Sequence, residues 1–258
     1  MLRVKQTIKN YRSTNPDLSI NFMDYAIKVL KGGYEISADT ISSAKRKVAL
    51  HGDDIAKQQK LPNEIYEDIS GTKNFDNFLD YAMQTGHYKY YGTGLHGLNH
   101  IENVTLFSYY IASREGLSWK DTLTVLEASR FHDVGRENDY VMPHGKDGAD
   151  RYLRQCSHNP DVDIQTVALL IEAHDIGDPK KVAKFGRQNN APANFERLAH
   201  IVRDADAIDR ARITVRSADN NLNATYLVNH SAKELILTSE VLNILQDSRK
   251  NSFLTSFK

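Results

Sequence analysis

The sequence predicts an all-α protein, and two observations carry this expectation. Proline is scarce, with six in 258 residues, and apolar residues recur at spacings of three and four along much of the chain, which is the period of an amphipathic helix. A chain of this length can bury a substantial core.

No apolar run reaches the roughly 20 residues needed to span a bilayer, and no apolar stretch follows the basic start of the chain. We therefore expect a cytoplasmic protein with no membrane partner.

Residues 1–92 are predicted to form an N-terminal helical extension. Ser37 offers N-cap chemistry at the start of a long polar helix, and Pro62 is expected to end that helix. The tyrosine- and glycine-rich stretch at 88–94 (YKYYGTG) is typical of a connector and indicates the boundary with the next region. The three helices predicted in this extension cover residues 21–30, 37–60 and 74–83.

Residues 93–215 are predicted to form a helical core. The helix that leads to His132 begins at Ser118, where Asp121 occupies the position at which a capping box prefers Glu or Gln. Within residues 162–174, apolar residues at spacings of three and four form a ridge that indicates a second helix of this core. Residues 216–258 are expected to add C-terminal helices that pack on it. The remaining predicted helices cover residues 162–174, 192–212 and 231–245.

Charge and cysteine content exclude several classes of protein. The chain has 33 basic and 33 acidic side chains, and this balance gives no strong signal for a nucleic-acid partner or an anionic membrane surface. The single cysteine, Cys156, excludes an intramolecular disulfide and a cysteine-rich zinc site. The sequence has no glycine-rich loop of the P-loop kind, which argues against phosphoryl transfer from bound ATP.

A His-Asp pair near the end of a predicted helix is the first candidate for a functional site. His132 and Asp133 lie in the stretch TLTVLEASRFHDVGR. Adjacent residues in mid-helix point about 100° apart, but Gly135 is expected to close this helix, so that both side chains can reach one point. A neutral imidazole beside a carboxylate suits a divalent metal ion.

Further histidines and acids accompany this pair on successive predicted helices. The order H-x-x-x-V, then H-D-x-G-R, then D-A-D-x-I-D resembles the HD-domain superfamily of metal-dependent phosphohydrolases, and the resemblance extends over residues 93–212. It implies an HD-domain helical bundle with a metal centre held by several helices. The ligands that it implies are His100, His132, Asp133, His144, His174 and Asp206.

Metal identity and number follow only in part from this ligand set. Four imidazoles and two carboxylates suit Fe, Mn, Zn, Co or Ni better than Ca or Mg. The resemblance implies one or two ions, with two expected, and Asp133 would be the bridging ligand if two bind. The family pattern Ala-Asp-x-apolar favours Asp206 over Asp204 as the last ligand. Asp209 is a candidate for orienting a ligand histidine from outside the coordination sphere.

Two basic residues and one histidine are candidates for contact with substrate. Arg136 would bind a phosphate oxygen, unless it pairs with Glu137 or Asp139, and Lys146 would add a second contact. His96 would bind phosphate, protonate the leaving group or hold its loop in place. With Asp133, these residues form the predicted catalytic set.

The function that the resemblance implies is hydrolysis of a phosphoester, such as a nucleotide or another small phosphorylated compound, by metal-activated water. Two alternatives stay open at this point. One is a mixed-valent di-iron oxygenase of the inositol oxygenase-like type, which shares the ligand order. The other is a non-catalytic sensor that keeps the metal pocket for ligand recognition, with residues 1–92 as a partner-binding element or only a helical buttress.

Overall fold

The computed structural model describes residues 22–91, 96–136, 144–156, 158–212 and 222–255. Within these residues the chain forms thirteen α-helices and no strand, which confirms the predicted all-α class. The helices are α1 (Phe22–Leu30), α2 (Ala38–Ala49), α3 (Asp53–Ala56), α4 (Pro62–Ser70), α5 (Phe75–Ala82), α6 (Leu98–Arg114), α7 (Trp119–Phe131), α8 (Gly145–Gln155), α9 (Ile164–His174), α10 (Val182–Gln188), α11 (Phe195–Ile208), α12 (His230–Lys233) and α13 (Ile236–Thr255). Short 3-10 segments lie at Tyr88–Tyr90, Pro179–Lys181, Asp209–Arg212 and Ala224–Tyr226.

Helix α6 is the centre of the fold. Every residue from Leu98 to Ala112 except Asn99 is buried, and a helix that is covered on all sides lies inside a domain rather than on its surface. It packs against α7 and α11 of the core and against α1, α4 and α5 from the N-terminal region. Residues in its first turn are therefore held deep in the protein.

Helices α7, α8, α9 and α11 form the rest of the core that surrounds the candidate site. Helix α9 packs against α7, α8 and α11. The start of α6, the end of α7, the start of α8 and the ends of α9 and α11 come together. Each of these five termini carries one or two of the predicted ligands, so the packing of the helices assembles them.

The N- and C-terminal helices share one apolar core with this group. A continuous cluster of buried apolar side chains runs from Met23 to Leu242, and α2 packs along α13. An ion pair between Lys47 Nζ and Glu240 Oε2 (2.6 Å) joins the same two helices. The division of the chain at residues 92 and 215 stays a prediction. No helix of the described residues is both long enough and apolar enough to cross a bilayer.

Two predicted helices are divided in the structure. The helix expected over 37–60 ends at Ala49, because Gly52 has a φ of 97°, a left-handed conformation that interrupts a helix and that glycine adopts without strain. Pro62 begins α4 instead of ending a helix, since its fixed φ and missing N–H suit the first helical position. The helix expected over 231–245 is likewise two helices, α12 and α13.

Candidate metal centre

His100 lies in the first turn of α6 and is fully buried. Its Nδ1 lies 2.8 Å from Oδ2 of Asp209, and its Nε2 lies 3.0 Å from Nε2 of His132. Asp209 also accepts a hydrogen bond from Asn103 Nδ2 at 2.8 Å, so its carboxylate acts as an acceptor. His100 therefore keeps its proton on Nδ1 and presents a lone pair on Nε2.

His132 forms the C-cap of α7 and begins a turn that runs through Gly135. Its Nδ1 donates to the carbonyl oxygen of Ser129 (2.7 Å), which leaves the Nε2 lone pair facing the site. Gly135 lacks the positive φ of many helix-closing glycines. A Cβ there would lie 2.3 Å from the backbone nitrogen of Gly148 and 2.8 Å from the carbonyl oxygen of His144. Glycine is required because α8 packs directly on this turn.

His144 and His174 meet where α8 begins and α9 ends. Their Nε2 atoms lie 2.9 Å apart. A Cβ at Gly145 would lie 2.6 Å from the carbonyl oxygen of Glu172, so the absence of a side chain lets the two helix ends touch. Asp175 fixes the junction, since its Oδ2 accepts a hydrogen bond from the backbone nitrogen of His144 at 2.7 Å.

Asp133 lies between the two pairs of histidines. Its Oδ2 is 3.3 Å from His100 Nε2 and 2.6 Å from His96 Nδ1. Its Oδ1 is 2.7 Å from His144 Nε2 and 2.9 Å from Arg136 Nε. Because its two oxygens face different histidines, the carboxylate has the placement that a bridging ligand needs.

Asp206, and not Asp204, faces these histidines. Asp206 Oδ1 lies 3.2 Å from His100 Nε2 and 3.7 Å from His132 Nε2. Asp204 Oδ2 instead accepts hydrogen bonds from the backbone nitrogen and the Nδ2 of Asn229, at 2.7 and 2.8 Å. The two aspartates lie two positions apart on α11 and so point about 200° apart around the helix axis. The geometry places Asp204 in the packing of the next segment.

The electrostatics of the group favour ionised carboxylates. Burial raises the pKa of Asp133, but the charge of His132 and hydrogen bonds from the other histidines outweigh it and hold this pKa well below its usual range. The same balance holds for the pKa of Asp206, where His100 and His132 supply the hydrogen bonds. Burial lowers the pKa of His132. Burial also opposes protonation of His174, but hydrogen bonding to Asp133 raises its pKa.

The convergence of lone pairs shows that the group fits a metal ion. Two pairs of Nε2 atoms face one another at about 3 Å, and two lone pairs attract each other only through a proton or a cation between them. Imidazole nitrogens mixed with carboxylate oxygens suit a divalent transition metal ion. Three overlapping groups have ligand atoms within 4.8 Å of one another, and these are His96, His100 and Asp133; His100, His132 and Asp206; and His132, Asp133 and His174.

The predicted substrate-contacting residues take different places. His96 and Arg136 both hold Asp133, as described above; the alternative partners of Arg136 at positions 137 and 139 lie outside the described residues. The structure does not bring Lys146 into the group. Its side chain is exposed in the first turn of α8 and does not line the cavity beside the histidines.

That cavity has a volume of about 490 Å³. Two of its arginines, Arg203 and Arg210, had no role in the sequence interpretation. Arg203 lies three residues before Asp206 and Arg210 four residues after it, and residues at these spacings are neighbours on a helix surface. This spacing could have marked both arginines as candidate site residues. The remaining lining residues are Arg136, His144, His174, Asp175, Ile176, Gly177, Asp204, Asp206, Ala207, Leu222, Asn223 and Tyr226.

Comparison with known families identifies the core. Residues 97–211 match the family model described as HD domain, a span that begins just before α6 and ends just after α11. Searches of curated proteins and of solved structures gave no significant match. The matched segment contains four histidines and two aspartates that meet at the helix ends, in a cluster that fits metal binding. This segment, a little under half of the chain, is therefore an HD domain, and an HD domain implies the superfamily of metal-dependent hydrolases.

Proposed function

We propose that the protein is a metal-dependent phosphohydrolase that cleaves a phosphoester of a small molecule with water. The observation that carries this proposal is the convergence of four imidazole Nε2 atoms and two carboxylates beside a cavity. Three of these ligand residues, His144, His174 and Asp206, line the cavity together with three arginines. The histidines and carboxylates suit divalent cations, and the arginines suit an anionic substrate.

Two overlapping sets of side chains would hold the ions. The first consists of His100, His132 and Asp206, and the second of His144 and His174. Asp133 would belong to both sets, because each of its oxygens faces one of them. Bound divalent ions would lower the pKa of a water molecule from about 15.7 towards neutrality and would offset the charge of the phosphate oxygens.

The protein's own groups would orient the reactants. Arg136 donates from Nε to Asp133 Oδ1 and lines the cavity, which places its guanidinium group where it would donate to a phosphate oxygen. His96 donates to the other carboxylate oxygen and so fixes the rotation of Asp133. Asp209 holds the ring of His100 in the tautomer whose Nε2 is free. These contacts set the ligand geometry before any substrate enters.

The test joins metal content with turnover. Protein purified without added metal is expected to contain one or two transition metal ions per chain and to hydrolyse members of a panel of phosphomonoesters, phosphodiesters and nucleotides. His132→Ala should lose both the metal and the activity. His230→Ala is the matched control, because this histidine is exposed on α12 and does not line the cavity, and it should keep both.

Two results would overturn the proposal. Full metal content in His132→Ala would show that the site is elsewhere. Turnover that requires molecular oxygen, measured as oxygen uptake and loss of activity under anaerobic conditions, would favour the di-iron oxygenase alternative. Phosphate release at the same rate with and without oxygen is the expected outcome.

A further inference from the structure

The cavity holds a second cationic region apart from Arg136, formed by Arg203 and Arg210. We infer that these two arginines form a subsite for a second phosphoryl group, so that the substrate is a small organic molecule with two separated phosphates. This inference rests on the proposed function, since the first phosphate would lie at the His-Asp cluster.

Neither guanidinium is neutralised by an ion pair with the described part of the chain. Arg203 donates from Nη2 to the carbonyl oxygen of Gly177 at 3.3 Å, and its buried Nε has no hydrogen-bond partner there. Arg210 has neither a hydrogen bond nor an ion pair with a described residue. An arginine left half-buried without a carboxylate loses hydration that an anionic ligand would replace.

The carboxylates close to Arg203 are engaged elsewhere. Asp204 accepts hydrogen bonds from the backbone and the side chain of Asn229. Asp178 accepts a hydrogen bond from the backbone nitrogen of Lys180 at 3.0 Å. Asp206 faces the histidines and would be offset by a bound ion. The positive charge at Arg203 and Arg210 therefore stays available to a ligand.

The arginines of this region belong to other elements of the fold than Arg136. Arg203 and Arg210 come from α11 and from the 3-10 segment that follows it, whereas Arg136 comes from the turn after α7 and is bound to Asp133. Ile176 and Leu222 add apolar surface to the lining. A volume of about 490 Å³ is in the range of small-molecule sites and exceeds the needs of inorganic phosphate.

The experiment compares matched substrates that differ in one phosphate. The metal-loaded protein is assayed with α,ω-alkanediol bisphosphates of three to eight carbons and with the corresponding monophosphates. For at least one chain length we expect kcat/KM to be about tenfold higher for the bisphosphate, since a charge-assisted hydrogen bond contributes roughly this factor. That ratio is well above the twofold statistical advantage of two equivalent phosphates.

The variants assign this preference to the two arginines. Arg203→Gln and Arg210→Gln should each lower the ratio of bisphosphate to monophosphate kcat/KM towards two, whereas Arg203→Lys and Arg210→Lys should retain part of it. Arg154→Gln is the control, because this arginine is exposed on α8 and does not line the cavity, and it should keep the wild-type ratio. The melting temperature of each variant shows that it is folded.

Calorimetric binding of the same compounds to the metal-loaded protein separates two failures. Tighter binding of a bisphosphate that depends on Arg203 and Arg210, without hydrolysis of any compound, would support the subsite and overturn the proposed function. A ratio of bisphosphate to monophosphate kcat/KM no greater than two at every chain length, or a larger ratio that survives in Arg203→Gln and Arg210→Gln, would overturn the subsite and leave the proposed function standing.

Discussion

The Nδ1 of His100 lies 2.8 Å from Oδ2 of Asp209, with both side chains fully buried and 109 positions apart in the chain. The contact joins the start of α6 to the segment that follows α11. It fixes which nitrogen of His100 faces the cavity. The candidate metal centre therefore depends on a residue that is not itself one of the candidate ligands.

Replacement of Asp209 by Asn should weaken metal binding by about tenfold to 100-fold, the range typical of losing such an outer partner of a ligand histidine. An amide offers one acceptor oxygen where the carboxylate offers two, and these two now serve His100 and Asn103. The measurement is competition for metal against a chromophoric chelator. Asp150→Asn on α8, whose side chain is 47% exposed, is the control, and equal affinity in the two variants would contradict the assignment.

The neighbouring aspartates of α11 should respond in opposite ways to the same change. Asp206→Asn is expected to lose metal more severely than Asp209→Asn, because Asp206 faces His100 and His132 directly. Asp204→Asn should retain metal but lose about 1–3 kcal/mol of unfolding free energy, since an amide cannot accept every hydrogen bond that this carboxylate receives. Metal analysis and urea unfolding of both variants test the pair. Loss of metal in Asp204→Asn alone would reverse the assignment.

Gly135→Ala should destabilise the junction between α7 and α8. The added methyl group would lie 2.3 Å from the backbone nitrogen of Gly148, so the turn that carries His132 must move, at a cost of about 1–3 kcal/mol. We expect a lower melting temperature and reduced metal content. Gly71→Ala is the control, because its Cβ would come no closer than 3.5 Å to any other atom and its φ is −79°. A Gly135→Ala protein as stable as this control would rule out the close approach.

The buried pair formed by His87 and Glu102 should add a pH-dependent term to stability away from the candidate site. Burial lowers the pKa of His87 to about 4, whereas the unfolded chain protonates its histidines near 6.5. Between these values the unfolded state binds more protons, so the free energy of unfolding falls as the pH is lowered from 6.5 to 4, by about 3 kcal/mol in total. The term is fully present above pH 6.5.

Urea unfolding of His87→Gln between pH 7.5 and 4.5 tests this term. The variant should lose stability on acidification less steeply than the wild type, because glutamine takes up no proton. The exposed His230→Gln should follow the wild type. Parallel curves for His87→Gln and the wild type would contradict the assigned pKa.

Local pattern was sufficient for some elements and misleading for others. Ser37 and Ser118 form the predicted N-caps of α2 and α7, with side chains that accept from the backbone of Thr40 and Asp121, because a cap depends on residues within one turn. The prediction that Pro62 ends a helix is wrong, since a proline is compatible both with the end of one helix and with the start of the next. The choice between them depends on what packs nearby.

The sequence by itself determined the helical class of this protein and the order of its histidines and aspartates, because the period of apolar residues and the motif spacing are local properties. The family pattern already favoured Asp206 over Asp204, but only the tertiary structure gives the physical reason, since the packing of α11 against α6 and α7 turns one face of that helix towards the histidines. The tertiary structure also decided that Gly135 permits a close helix contact and that Arg203 and Arg210 share a cavity with His144. These relations join residues far apart in the chain, and no local pattern contains them.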